Sequence, residues 1–151
     1  MEFKRLVDGS RVQIADYVKD YMADEHRPKI KLYVGCDSQN KGDNTIYATT
    51  VVLHIGTTGC HVLYRRETFP RMFDFLERLW GEVERSVEVS NMLRDGGLTI
   101  KSIDLDFNED PKYNSNTVLR SAVGYVEASG FKARWKPHDA FSVRVADQIC
   151  K

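Results

Sequence analysis

The sequence predicts an α/β protein: a mixed five-stranded sheet with helices packed on it, in the order β-β-β-α-β-α-β-α after one extra amino-terminal helix. Three observations carry that prediction. Strand-forming runs over residues 29–37, 45–55 and 60–68 are joined by short turn clusters, which makes an antiparallel meander. Helical patterns then alternate with two further strand patterns, and a helix between strands favours a parallel crossover. No linker, repeat or low-complexity stretch interrupts the chain, so the expected division is a helical extension (1–28) and one domain (29–151).

Residues 10–24 are expected to form an amphipathic helix capped by Ser10, with Val12, Ile14, Tyr17, Val18 and Met22 as its apolar stripe. Arg27-Pro28 closes it, because proline disfavours helix for the residue before it. The first strand runs from about Lys29 to Asp37, and Asn40-Lys41-Gly42-Asp43-Asn44 is a turn cluster. Thr45 to Ile55 and Cys60 to Thr68 are strands joined through the hairpin signal Gly56-Thr57-Thr58-Gly59. Pro70 opens the longest helical pattern, to about Arg94, with Met72, Phe73, Leu76, Leu79, Trp80, Val83 and Val87 on one face. Asp95-Gly96-Gly97 ends it. In the strand from Leu98 to Phe107, Ile103, Leu105 and Phe107 alternate with Ser102, Asp104 and Asp106. Residues 115–129 are helical with Gly130 at the C′ position. Phe131 to Lys136 is a short strand, and Asp139 to Cys150 a terminal helix on Phe141, Val145 and Ile149.

The totals exclude several classes. Twenty-two Lys and Arg balance 22 Asp and Glu, so contact with nucleic acid needs a local basic patch or bound cations. Cys36, Cys60 and Cys150 are widely spaced and His26, His54, His61 and His138 are scattered, which indicates neither a disulfide framework nor a zinc site. No apolar run has membrane-spanning length and the amino terminus lacks a signal-peptide pattern, so a reducing, cytoplasmic setting without membrane contact is expected.

The predicted order is that of ribonuclease H-like folds, in which the first and fourth strands lie side by side. Here Asp37 ends the first strand and Asp106 the fourth, so parallel pairing brings both carboxylates to one edge. Two carboxylates that close repel unless a divalent cation sits between them, which is the physical case for Mg2+ or Mn2+. Glu84, on the flank of the long helical stripe, is expected to face the sheet margin, and Glu88 to be more exposed. Asp147 lies on a flank of the terminal helix. Four carboxylates from two strands and two helices would suit a two-metal phosphoryl-transfer site, one ion activating water and the other stabilising the leaving oxygen.

Each residue also has a plainer reading. Asp37 can be a turn former. Asp106 can begin a polar loop, with Asp104 on the same face. Glu84 sits amid Glu77, Glu82, Arg85 and Glu88, where solvated charge is usual, and Asp147 can pair with Arg144. Asp104 or Glu88 stay open as replacements for Asp106 or Glu84. Joint placement on converging elements is what favours the cluster.

Four segments carry a family resemblance: Val34-Gly35-Cys36-Asp37-Ser38-Gln39, residues 79–88, Ile103-Asp104-Leu105-Asp106-Phe107-Asn108, and residues 136–147. On them the chain resembles the YkuK-type ribonuclease H-like family. The resemblance implies Asp37, Glu84, Asp106 and Asp147 as ligands of a divalent metal. It also implies a metal-dependent nuclease or phosphoryl-transfer domain acting on RNA or DNA. The alternatives are a non-catalytic module of the same fold that binds nucleic acid or a protein, and an assembly subunit contacting through the first helix. Lys132, Arg134 and Lys136 alternate on one face of the last strand; they can track phosphates, but charge protecting an edge strand is the favoured reading. Tyr113-Asn114-Ser115-Asn116 can meet substrate or cap a helix, and Trp80 and Trp135 are expected in the core.

Overall fold

Two short strands, β1 (Glu2–Arg5) and β2 (Arg11–Gln13), open the chain where a helix was expected from residue 10. The computed structural model describes residues 1–26, 28–56, 59–108, 112 and 114–136. Each opening strand is too short for a period-2 pattern to register, and each turns a single apolar residue inwards, Phe3 and Val12. Ser10 does not cap a helix. Its N–H and hydroxyl donate to the Asp8 carboxylate (2.9 and 2.7 Å) in the turn between the strands. Helix α1 (Ile14–Met22) then follows directly from β2, with Ile14 and Val18 buried.

The meander forms as its composition and turns require. Strand β3 (Ile30–Lys41) pairs antiparallel with β4 (Asn44–Ile55), and β4 with β5 (Gly59–Pro70). Gly42 takes φ +54° in the β3–β4 turn, a left-handed conformation that suits glycine. Pro70 ends β5 instead of opening a helix: it lies opposite Asn44 in the ladder. Helix α2 (Phe75–Asp95) starts five residues later, with Asp74 as its N-cap. Strand β6 (Ile100–Asn108), helix α3 (Asn116–Ala128) and strand β7 (Ala133–Lys136) complete the described elements. Gly130, at φ +92°, terminates α3 as expected. The expected terminal helix, residues 139–150, lies outside the described residues.

The sheet therefore has seven strands among the described residues, not five, in the order β2-β1-β5-β4-β3-β6-β7. Strand β6 lies parallel to β3, and β7 parallel to β6; the other pairings are antiparallel. Strand β1 adds to the outer side of β5, pairing Lys4 with Tyr64. All three helices contribute to one apolar core over one face of the sheet. Val18 from α1, Val83 and Val87 from α2, and Leu119 and Ala122 from α3 belong to one cluster with Val34, Leu63 and Ile103. Burial of this kind contributes about 25 cal/mol per Å² of apolar surface. Trp80 and Trp135 pack against the cluster half-buried.

Candidate functional site

The parallel register sets the site. It pairs Val34 with Ile103 and Gly35 with Asp104. Continued two residues further, that register puts Asp37 level with Asp106, inside the strands and not at their ends as expected, since β3 runs on to Lys41 and β6 to Asn108. Side chains alternate along a strand, so both aspartates stand on the face that carries Asp104. Asp37 is buried, at 7% exposed, and Asp106 is half-buried. The next residue along β3, Ser38, turns to the opposite face, beneath α2.

There the structure presents a carboxylate that differs from the one expected. Glu82 is 4% exposed, and the Ser38 hydroxyl donates to its Oε2 at 3.3 Å. Arg78, one turn earlier on α2, donates through Nη1 to the Ser38 carbonyl (2.9 Å) and hydroxyl oxygen (3.2 Å). Burial pushes the Glu82 carboxyl well above the ordinary carboxylate range, and the charges of Asp37 and Asp106 push it the same way. Arg78 and the Ser38 hydroxyl oppose that rise. Glu82 is thus within electrostatic reach of both strand aspartates. Burial also pushes the neighbouring Tyr47 phenol up to about 12.

Glu84 and Glu88 are both exposed, so the sheet-margin position expected for Glu84 is not where its side chain lies. Glu82 and Glu84 stand about 100° to either side of Val83 at 100° per residue, so the apolar stripe alone does not choose between them. The choice is legible in the residues around it. Ser86, Val89, Ser90 and Leu93 are buried and extend the inner face towards Glu82, whereas Glu77 and Glu88 populate the other flank.

Asp104 has a different role from Asp106. Its side chain is fully buried, and Arg134 on β7 grips it with two hydrogen bonds, Nε to Oδ1 and Nη2 to Oδ2, both 2.8 Å. The Ser102 hydroxyl donates to Oδ1 at 2.9 Å, and the Arg134 guanidinium lies 4.5 Å from the Tyr33 ring centre. Charge-assisted bidentate pairs of this kind are strong and directional. Arg134 is therefore turned inwards on edge strand β7, while Lys132 is exposed. Asp147 lies outside the described residues.

Among the described residues, no three His, Cys, Asp or Glu side chains form a group able to hold a metal ion. The geometry accounts for this, since Glu82 lies under α2 and the two aspartates stand on the other face. Also among them, no helix is long and apolar enough to cross a membrane.

A mixed sheet in which β3 and β6 are parallel neighbours, with acidic side chains on both, defines an α/β protein consistent with a ribonuclease H-like fold. The family model described as ribonuclease H-like matches residues 13–151. The chain belongs to that family, the YkuK type that its motifs resemble. No curated protein and no solved structure matches it. Family membership points to a role connected with nucleic acid.

Proposed function

We propose that this protein is a divalent-metal-dependent phosphodiesterase acting on nucleic acid, with Asp37 and Asp106 as metal ligands, Asp147 as a further one, and Glu82 as the buried acid within electrostatic reach of Asp37 and Asp106. The observation that carries this reading is the electrostatic state of Glu82. A buried carboxyl pushed up by the charges of two aspartates on neighbouring strands marks a concentration of like charge that a cation would relieve. An all-oxygen donor set of this type suits a hard cation such as Mg2+ or Mn2+. Bound there, the ion would supply Lewis-acid stabilisation of charge on the phosphoryl oxygens.

The chain's own contribution is positioning. Ser38 and Arg78 fix the Glu82 carboxyl from one side, and the β3–β6 register fixes the spacing of Asp37 and Asp106 from the other. Arg134 neutralises Asp104, and Asp106 follows two residues further along the same strand. Glu82 adds negative charge from beneath α2, on the other face of β3 from Asp37.

Thermal melts with added Mn2+ or Mg2+ test it. Wild type is expected to gain about 3 °C or more at saturating Mn2+, and Asp37→Asn/Asp106→Asn to gain little. Equal gains in the two proteins would remove the metal site from consideration. Assays on single strands, RNA–DNA hybrid and branched DNA then separate a hydrolase from a binding module: the double variant should lose all metal-dependent cleavage.

A further inference from the structure

Phe73 is 87% exposed, the most exposed large apolar side chain among the described residues, and it stands beside Phe75 (37%) and Leu76 (43%) at the start of α2. The backbone that carries it is pinned. The Arg71 N–H donates to the Asp43 carbonyl (2.9 Å) and its Nη1 to the Gly42 carbonyl (2.7 Å). Asn40 Nδ2 donates to the Met72 carbonyl (3.0 Å), and the Met72 N–H donates to Thr45 Oγ1 (2.8 Å). An exposed ring on a fixed backbone is arranged for contact.

Two further facts identify the contact. Each ring has a guanidinium over it: Arg71 lies 5.7 Å from the Phe73 centroid, and Arg78 lies 5.5 Å from that of Phe75. The segment is also tied to the carboxylate strand, because Asn40 follows Asp37 by three residues and Arg78 holds Ser38. From these observations we propose that the segment from Arg71 to Arg78 is a stacking platform for unpaired bases of single-stranded nucleic acid, which it delivers to the carboxylates. The proposal rests on the reading of that site as one for phosphodiesters.

Phenyl rings and guanidinium planes both stack on bases, and arginine adds a contact for the phosphate between them. An exposed phenyl group has no access to bases inside a duplex, so the platform selects single strands. Asp74 accepts from the N–H groups of Leu76 (2.9 Å) and Glu77 (3.3 Å) as the α2 cap, and with Glu77 it balances the two arginines of the segment. Few cations are involved, so binding should depend only weakly on salt.

Fluorescence anisotropy with labelled oligo(dT) and oligo(rU) of about 12 nucleotides, and with a mixed-sequence duplex, tests the platform in chelator. Wild type should bind the single strands in preference to the duplex. Phe73→Ala should weaken that binding about tenfold, Phe73→Trp should restore it, and Val7→Ala, at an exposed apolar residue just after β1, should leave it unchanged. Equal binding by wild type and Phe73→Ala would overturn the proposal, as would a preference for duplex. So would a change in self-association by sedimentation velocity with oligonucleotide binding unaltered. Failure of the metal test with a Phe73 effect intact would remove the phosphodiesterase and leave a binding module; the reverse outcome would remove only the platform.

Discussion

At the scale of the residue, Glu82 gives the site its pH dependence. Its pKa is raised in the folded chain, by burial first and then by Asp37 and Asp106. Between the ordinary carboxylate pKa and that raised value, the folded chain holds a proton that the unfolded chain has released. Stability therefore falls as pH rises through that window. Glu82→Gln removes the penalty, so in chelator the variant should melt above wild type at neutral pH. The gap should close below about pH 4, where both states of the wild type are protonated. Melts across the pH range check this; a difference that does not vary with pH would contradict it. Metal affinity should rise with pH, because the carboxylates that take the cation must first lose their protons.

At the scale of the element, α2 decides which carboxylate is presented, and Gly81 decides how closely it lies. A Cβ at Gly81 would meet the Tyr47 hydroxyl and lie 2.8 Å from its Cζ. Tyr47 has no room to move: it is fully buried, donates to the Arg78 carbonyl at 3.0 Å, and has the Arg85 guanidinium 3.8 Å from its ring centre. Gly81→Ala gains about 1 kcal/mol of helix propensity but overpacks this contact by about 1–3 kcal/mol. A net loss of about 1 kcal/mol is expected in urea unfolding. The positions of the long strands and of α2 and α3 were legible in the sequence because their periodicities are sustained. The strand aspartates were legible because topology alone places them. Glu82 was not, since two glutamates flank Val83 symmetrically and only the buried serines break the tie. Nor was the role of Phe73, which the helical stripe absorbed although α2 begins two residues later.

At the scale of the molecule, β1 and β2 build the sheet outwards from β5 and join the common core through Phe3, 1% exposed. Truncating a buried phenylalanine costs about 3 kcal/mol or more. Phe3→Ala should accordingly shift the urea midpoint of the whole protein as one transition, whereas an independent extension would leave the main transition in place. The hairpin escaped sequence reading because each strand holds too few residues for alternation to show.

The parallel neighbour of β3 also has a consequence for the order of events during synthesis. Strands β3, β4 and β5 are joined by short turns and can pair as soon as they are made. Strand β6 arrives only after α2 has been completed. Until then the side of β3 that it will occupy is an edge, and Asp37 is hydrated there without a like charge beside it. The repulsion built into the finished site is thus deferred to a late step, when the core that resists it is already largely in place.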